Sequence, residues 1–493
     1  MRLAAILLVL SALAAPSASA APCAAPDTAA TVAGLKLMAY YPSDNAWTYM
    51  WTRWRPAAID ADFGRIARLG ANTVRLVVAP EITGYPEPGR RFLGRLEQAL
   101  ALADRHGLRV QLTLFDWWGS YDDLDGSKRW ADAVLAPFRG DPRVAFVELK
   151  NELHVSDPQA VAWARELLPH VRAAACGAPV TISAVGTEPG ETVRALREQL
   201  GASQPDFYDI HYFGRAELAY LRFSEALRAA APLPLLVGEV GYSTWAGNGL
   251  VHGLPHTRDA REAAQEHYLR TVQYAARALG LPAAAPWVYA DFDPKGIPAR
   301  GPRDVAPEHH FGLHRADGTP KPAAAVVRDA FSGTVSQGFN GGFESGIRVQ
   351  DKELPAVWQI RGAAHAVVRR DSSVFRSGTA ALRLGSKDGQ ATGRVAVHVS
   401  PVAAFLETGR IYEAAVWARA AGTAGTTTIG IEWYDREAKR IGAVSSEPLR
   451  TLSSGWARLS VSAVAPPGAA FAHVVLQTAG NPTAVWLDDV TFG

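Results

Sequence analysis

Short apolar runs alternate with stretches of helical spacing between residues 31 and 332. The runs are Leu35–Tyr40, Thr73–Val78, Arg109–Phe115, Val144–Leu149, Val180–Ala184, Phe207–His211, Leu235–Gly238 and Ala285–Tyr289. Each is rich in Val, Leu and Ile and bounded by Gly, Pro, Asn or Asp, the pattern of parallel strands buried on both faces. Between them Ile59, Phe63, Ile66 and Leu69 recur at intervals of three and four. Phe92, Leu96, Leu100 and Ala103 do the same, with Gly107 as a helix stop. Eight strand–helix units predict an α/β fold, a (β/α)8 TIM barrel. A doubly wound sheet competes, but it wants a glycine-rich phosphate turn after an early strand, and the sequence has none.

After Phe331 the helical spacing ends. Alternating runs follow at Ala366–Arg369, Ala380–Leu384, Val395–Val399, Tyr412–Ala418, Thr428–Trp433, Ala457–Val461, His473–Leu476 and Val485–Phe492. Turn signals such as Ser377-Gly378 and Pro466-Pro467-Gly468 separate them, which predicts an all-β jelly-roll sandwich. The join at Ser332–Gly338 is short and polar, so the two modules are expected to touch.

Composition narrows the class. The chain has 493 residues, 48% of them hydrophobic and 20% charged, with a formal net charge of +2. Such a chain folds as more than one soluble domain. Near neutrality gives no electrostatic reason to expect nucleic acid or an anionic membrane as partner. Arg2, the apolar stretch Leu3–Leu13 and Ala18-Ser19-Ala20 read as a secretory signal peptide, with the mature chain starting at Ala21. A lipoprotein reading on Cys23 competes, but Ala-Ala-Pro before it is a poor lipid-attachment box. The expected division is 1–20 signal peptide, 21–332 barrel and 338–493 sandwich, in a secreted or periplasmic monomer. Cys23 and Cys176 are the only cysteines. Export permits a disulfide between them, and two unpaired thiols remain an equal reading.

Active sites of such barrels lie at the C-terminal strand ends. The fourth run ends in Asn151-Glu152 and the seventh in Gly238-Glu239. These two strands face each other across an eight-stranded barrel. Glycosidic cleavage needs two carboxyl groups flanking the scissile bond, one to protonate the leaving oxygen and one to support the oxocarbenium-like centre. A single glutamate at a strand end reads as a salt-bridged or solvated carboxylate, and the pairing changes that reading.

With Asn151-Glu152, Gly238-Glu239, Arg75 on the second run, His211 on the sixth and Trp287 on the eighth, the region 31–332 resembles clan A glycoside hydrolases, particularly glycoside hydrolase family 5. The ending His310-Phe311-Gly312-Leu313, Asp317-Gly318 and Lys321-Pro322 is similar too. The resemblance implies Glu152 as acid/base and Glu239 as nucleophile of a retaining, endo-acting β-glycanase that needs no cofactor for catalysis. It implies that Asn151 bonds the sugar 2-hydroxyl and that Arg75 holds Glu239 ionised. Glu152 is then expected to carry a raised pKa from burial and from the charge of Glu239. Glu148 reads as a buried partner of Arg75 or Lys150.

The chain departs from the family pattern in three places. The tyrosine expected two residues after His211 is Phe213, so either Tyr212 takes that role or the contact is absent. Leu153 follows Glu152 where proline is common. The third run ends Phe115-Asp116-Trp117-Trp118, where many cellulases carry histidine. The substrate therefore stays at the level of a β-glycan.

Sugar rings stack on aromatic side chains. Trp117, Trp245 and Trp287 are candidate substrate platforms, with Trp47, Trp51, Trp54 and Trp118 also near strand ends and core packing the alternative for each. The sandwich resembles jelly-roll carbohydrate-binding modules in Gly341-Gly342-Phe343-Glu344, Ser377-Gly378-Thr379 and Leu487-Asp488-Asp489-Val490. That resemblance implies a structural calcium held by Glu344 with Asp488 or Asp489, against the reading as ordinary surface acids. Trp358, Trp417, Trp433 and Trp456 include candidate sugar contacts, and Trp417 and Trp456 have the pattern of core residues. Two other functions compete: a binding or adhesion protein on a barrel that no longer cleaves, and a metal-dependent hydrolase, which would want several strand-end histidines where only His211 fits.

Overall fold

The computed structural model describes residues 23, 25–186, 188–247, 257–298, 305–336, 338–349, 352–362, 366–386, 392–399, 406–422, 425–449, 455–480 and 483–493. The expected signal peptide at 1–20 lies outside these residues.

The first module is a barrel of parallel strands wrapped by helices. Its strands are β1 (Leu37–Ala39), β2 (Thr73–Val77), β3 (Arg109–Phe115), β4 (Val144–Lys150), β5 (Val180–Thr181), β6 (Ser183–Ala184), β7 (Tyr208–Tyr212) and β8 (Leu235–Val240). The fifth apolar run is split at Ile182, so β5 pairs with β4 and β6 pairs with β7. The eighth run differs from expectation. Among the described residues it is no regular strand, because Pro286 has no N–H to give to a ladder. It closes the barrel through single bonds instead: Ala285 N to Val237 O at 2.9 Å, Trp287 N to Val240 O at 2.8 Å and Tyr289 N to Ala39 O at 3.1 Å.

The helices follow their apolar stripes. Helix Pro56–Arg68 has proline in its first turn and buries Ile59, Phe63 and Ile66. Helix Arg90–Arg105 buries Phe92, Leu96, Leu100 and Ala103, and the chain turns away at Gly107 with φ +69°. Helix Pro158–Ala175 starts at Asp157, whose carboxylate accepts N–H groups of Gln159 and Ala160 at 3.0 and 3.2 Å. Just past its last turn Cys176 forms a disulfide with Cys23, with Cα atoms 5.0 Å apart.

The second module is two packed antiparallel sheets. One orders Gln359–Gly362, Thr392–Val399, Phe471–Gly480, Thr426–Tyr434 and Arg440–Ser445. The other orders Ala366–Asp371, Ala381–Ser386, Ala484–Phe492, Ile411–Ala421 and Ala457–Val464. The core between them includes Phe343, Trp358, Leu382, Val416, Ile431 and Leu487. Trp358 and Trp433 are core residues, whereas Trp417, read from sequence as core, is half-buried under the Arg376 guanidinium at 4.1 Å. The modules touch. Ile347, Leu354 and Ala356 of a hairpin pack on Ala260 and Ala263 of helix Arg258–Ala278. Arg436 pairs with Glu188 at 3.1 Å and Glu225 at 3.3 Å.

Candidate active site

Barrel interiors are ordinarily filled by layers of branched apolar side chains. Here the upper layer is polar. Strand alternation sends Thr73, Arg75 and Val77 of β2 to one face, and the register sets Arg75 beside Gln111 and Thr113 beside Glu148. Glu148 is fully buried. It accepts Arg75 Nη2 at 2.8 Å, Gln111 Nε2 at 2.9 Å and Thr113 Oγ1 at 2.6 Å, so its partner is Arg75 rather than Lys150. Arg75 is 2% exposed and also donates through Nη1 to Glu239 and through Nη2 to Asn151 Oδ1 at 2.6 Å.

Asn151 is gripped from both ends, because its Nδ2 donates to Asp116 Oδ1 at 2.9 Å. Asp116 was not singled out from sequence. Its part is to set which way the amide points, since Arg75 can face only the carbonyl oxygen.

Glu152 follows β4 with φ +51°, a left-handed conformation that a non-glycine residue adopts at a cost of about 1–3 kcal/mol. Its N–H is taken by Ser183 Oγ at 2.8 Å. His211 Nδ1 lies 3.0 Å from Glu152 Oε1 and 3.5 Å from Glu239 Oε2. One ligand-type atom each from Glu152, His211 and Glu239 all lie within 4.8 Å of one another. Glu148, Asp209 and His211 form a second such group, one layer deeper. His211 belongs to both groups, and Arg75 pairs with Glu239 of the first and Glu148 of the second.

The protonation pattern reverses the expectation. Burial raises the Glu152 carboxyl, but the His211 bond and the charges of His211 and Arg75 outweigh it, and Glu152 falls below its usual value. Burial pushes Glu239 above the ordinary carboxylate range, although His211 and Arg75 oppose it. Burial alone would lower His211. The Glu239 charge and the Glu152 bond push it up to about 9, so it is protonated at neutral pH. The physical reason is the placement of His211, whose hydrogen bond goes to the half-exposed Glu152 and not to Glu239. Asp209, buried with no donor on either oxygen, is pushed up to about 7.

A cavity of about 280 Å³ opens over this cluster, lined by Tyr41, Trp47, Arg75, Val77, Asp116, Trp117, Asn151, Glu152, Phe213, Glu239, Trp287, Val305 and Glu308. Tyr41 stacks on Trp47 at 5.1 Å, and Trp287 meets both edge-on at 6.2 Å. Trp47, Trp117 and Glu152 share left-handed φ values of +47°, +54° and +51°. Trp117 is 60% exposed at the rim.

Several expected contacts are not made. Tyr212 is buried against Phe223 and its hydroxyl donates to Arg215 O, so it does not reach Glu239. Phe213 faces the cavity instead. Trp245 folds over Gly247 and is not part of the lining. Trp51 is buried and donates to Val77 O at 2.7 Å, Trp54 bonds Gln98 and Trp118 packs on Tyr85, so all three are structural. In the sandwich, the expected calcium ligands serve protein donors. Glu344 accepts Thr379 N at 3.0 Å. Asp488 accepts Arg376 N at 2.7 Å and Ser377 N at 3.2 Å, and Asp489 pairs with Arg376 at 2.6 Å. These three acids form no metal-type group among the described residues.

No family model and no curated protein matches the sequence. Among solved structures, the chain is similar to the exo-beta-1,4-mannosidase Op5Man5 from Opitutaceae bacterium strain TAV5, with 18% identity and TM-score 0.49. That match covers 65% of this chain and 62% of the other, so the chain spans less than two thirds of that protein. A GH5_18 protein from Streptomyces cattleya matches with 17% identity and TM-score 0.48 over 60% of this chain and 80% of its own. A family 39 glycoside hydrolase from the gut symbiont Bacteroides cellulosilyticus WH2 matches with 14% identity and TM-score 0.45 over 90% of this chain and 81% of its own.

Proposed function

We propose that the chain is a secreted retaining glycoside hydrolase that cleaves β-linked polysaccharide or oligosaccharide through a covalent glycosyl-enzyme intermediate. The observation that carries this reading is the approach of one carboxylate oxygen each of Glu152 and Glu239 to within 4.8 Å beneath an aromatic-walled cavity. Retaining enzymes hold their carboxyl groups about 5–5.5 Å apart, whereas inverting ones need roughly 6.5–9.5 Å to seat a water between them.

The roles follow from the bonds. Glu239, ionised and paired with Arg75 and His211, forms the bond to the anomeric carbon as the glycosidic C–O bond breaks. The leaving oxygen takes a proton from Glu152. His211, raised to about 9 with its Nδ1 3.0 Å from Glu152 Oε1, is the group placed to pass that proton to Glu152. Water then attacks the anomeric carbon as its bond to Glu239 breaks and frees that carboxylate, and Glu152 takes the water proton and returns it to His211. Asn151, its amide set by Arg75 and Asp116, is placed to bond the sugar 2-hydroxyl. Endo action is part of the proposal, supported by Trp117, an aromatic surface at the rim beyond the reacting pair. The Cys23–Cys176 disulfide suits an oxidising compartment and so supports export.

The test is a 2-deoxy-2-fluoro aryl β-glycoside panel read by intact mass. A stable adduct on Glu239 is expected, together with retention in the first-formed product by NMR. Glu152→Ala should regain rate with azide on an activated aryl glycoside. Glycan binding without adduct or product would establish the alternative, a carbohydrate-binding protein on a barrel scaffold.

A further inference from the structure

Besides Glu152, Glu239 and Asp116, the cavity holds a fourth carboxylate that neither the proposed chemistry nor the fold uses. Glu308 lies in the short helical turn Ala306–His310 and lines the cavity with Glu152 and Glu239. Its Oε2 accepts the indole N–H of Trp287 at 3.3 Å, and no other side-chain or backbone donor bonds its carboxylate among the described residues. A carboxylate offers about four acceptor sites. One long bond from a neutral donor leaves most of them facing the cavity. Burial, with the charges of Glu239 and Glu152, pushes the group up to about 7 against the opposing Trp287 bond.

Position supplies the ligand class. Glu308 is anchored to the N–H edge of Trp287, so it sits beside that ring and not over its face. A sugar stacked on the face of an indole projects its equatorial hydroxyls outward in its own plane, towards groups at the perimeter. Hydroxyls are donors, and Glu308 is the acceptor at that perimeter.

We propose that Glu308 is a substrate-binding residue that accepts hydrogen bonds from hydroxyls of the sugar held against Trp287, and that it thereby selects the hydroxyl configuration the cavity admits. The inference rests on the glycosidase reading. A site built to bond a hydroxyl rejects the analogue lacking it, because the buried acceptor is then left without a donor.

The test uses the full chain with 2,4-dinitrophenyl β-glycosides of glucose, mannose, galactose and xylose, then the 3-, 4- and 6-deoxy forms of the best substrate. Glu308→Gln keeps an acceptor for the Trp287 N–H and removes the charge. Glu308→Ala removes both. In assays at pH above 7, where Glu308 is ionised, the expected result is a fall in kcat/KM of about 10- to 100-fold in Glu308→Gln, the size of one charged hydrogen bond, with KM raised. For one deoxy glycoside, wild type and variant should become equal. If Glu308→Ala unfolds, Glu308→Gln decides alone. Equal rates of Glu308→Gln and wild type on the parent glycoside, or the same fold-loss on every deoxy form, overturn the role of Glu308 and leave the glycosidase reading standing. A wild type that turns over no glycoside overturns that reading and this inference with it.

Discussion

The barrel mouth and the sandwich edge each gather acidic side chains, and in sequence the two groups look alike. Their surroundings differ. At the edge, the carboxylates of Glu344 and Asp488 are taken up by backbone N–H groups of the turn 376–379, and Asp489 pairs with Arg376. Gly378 has φ +63°, and a Cβ there would lie 1.8 Å from Glu344 Oε1. These acids lock a turn. At the mouth, Glu152 and Glu239 meet Arg75, His211 and open space. An acid becomes available for chemistry where the backbone leaves its oxygens free and a nearby cation holds its charge.

The largest expected effect separates the two groups outright. Glu239→Gln should lower kcat on the order of 10⁴-fold or more, whereas Asp488→Asn should leave it within twofold, in one assay on one aryl glycoside. Equal effects would erase the distinction. Next, Arg75→Met should destabilise the barrel by about 3–5 kcal/mol, because Glu148 and Glu239 remain buried without their cation. The matching loss of Arg376 on the exposed edge should cost less than about 1 kcal/mol. Thermal melts of both variants check this, with each module's transition followed separately.

The pH profile sharpens the mouth itself. His211 is raised to about 9, so its protonated form dominates below that value. The rate constant kcat/KM should hold through neutrality and fall as pH rises past about 9, as a property of the coupled Glu152–His211–Glu239 group. The same raised value contributes stability that is fully present below the unfolded pKa of about 6.5 and is lost as pH rises through 9. A basic limb near 6.5 would mean that His211 is not paired in solution. The last test returns to the edge. Asp488→Asn should cost about 1–3 kcal/mol by loosening the turn, and a chelator should leave the sandwich melting point unchanged. A fall on chelation would restore the calcium reading.

Much of the site was legible before folding. The apolar runs end at Asn151-Glu152 and Gly238-Glu239, which places both glutamates at the C-terminal strand ends where barrel sites lie. Alternation also carries the correct answer at the sixth run. Asp209 and His211 face inward, so Phe213 does too, and Tyr212 faces the helices. Pro286 likewise announces the break in the last stave. Other features had little or no signal, and the disulfide stood only as one of two equal readings. Glu308 comes from the stretch between Tyr289 and Lys321, where no periodicity exists. Asp116 matters through Asn151, 35 positions away. Cys23 and Cys176 are 153 positions apart and meet because helix Pro158–Ala175 ends beside the N-terminal segment.

The sequence by itself determined two modules, an eight-stave barrel and the carboxylate pair, since these rest on local periodicity and on the few residues able to occupy a strand end. Tertiary structure alone decided which acids line the cavity and which lock a turn, that His211 lies between Glu152 and Glu239, and that Glu308 stands at the cavity wall. Burial, donor supply and the distance between charges set those properties, and each depends on residues remote in the chain.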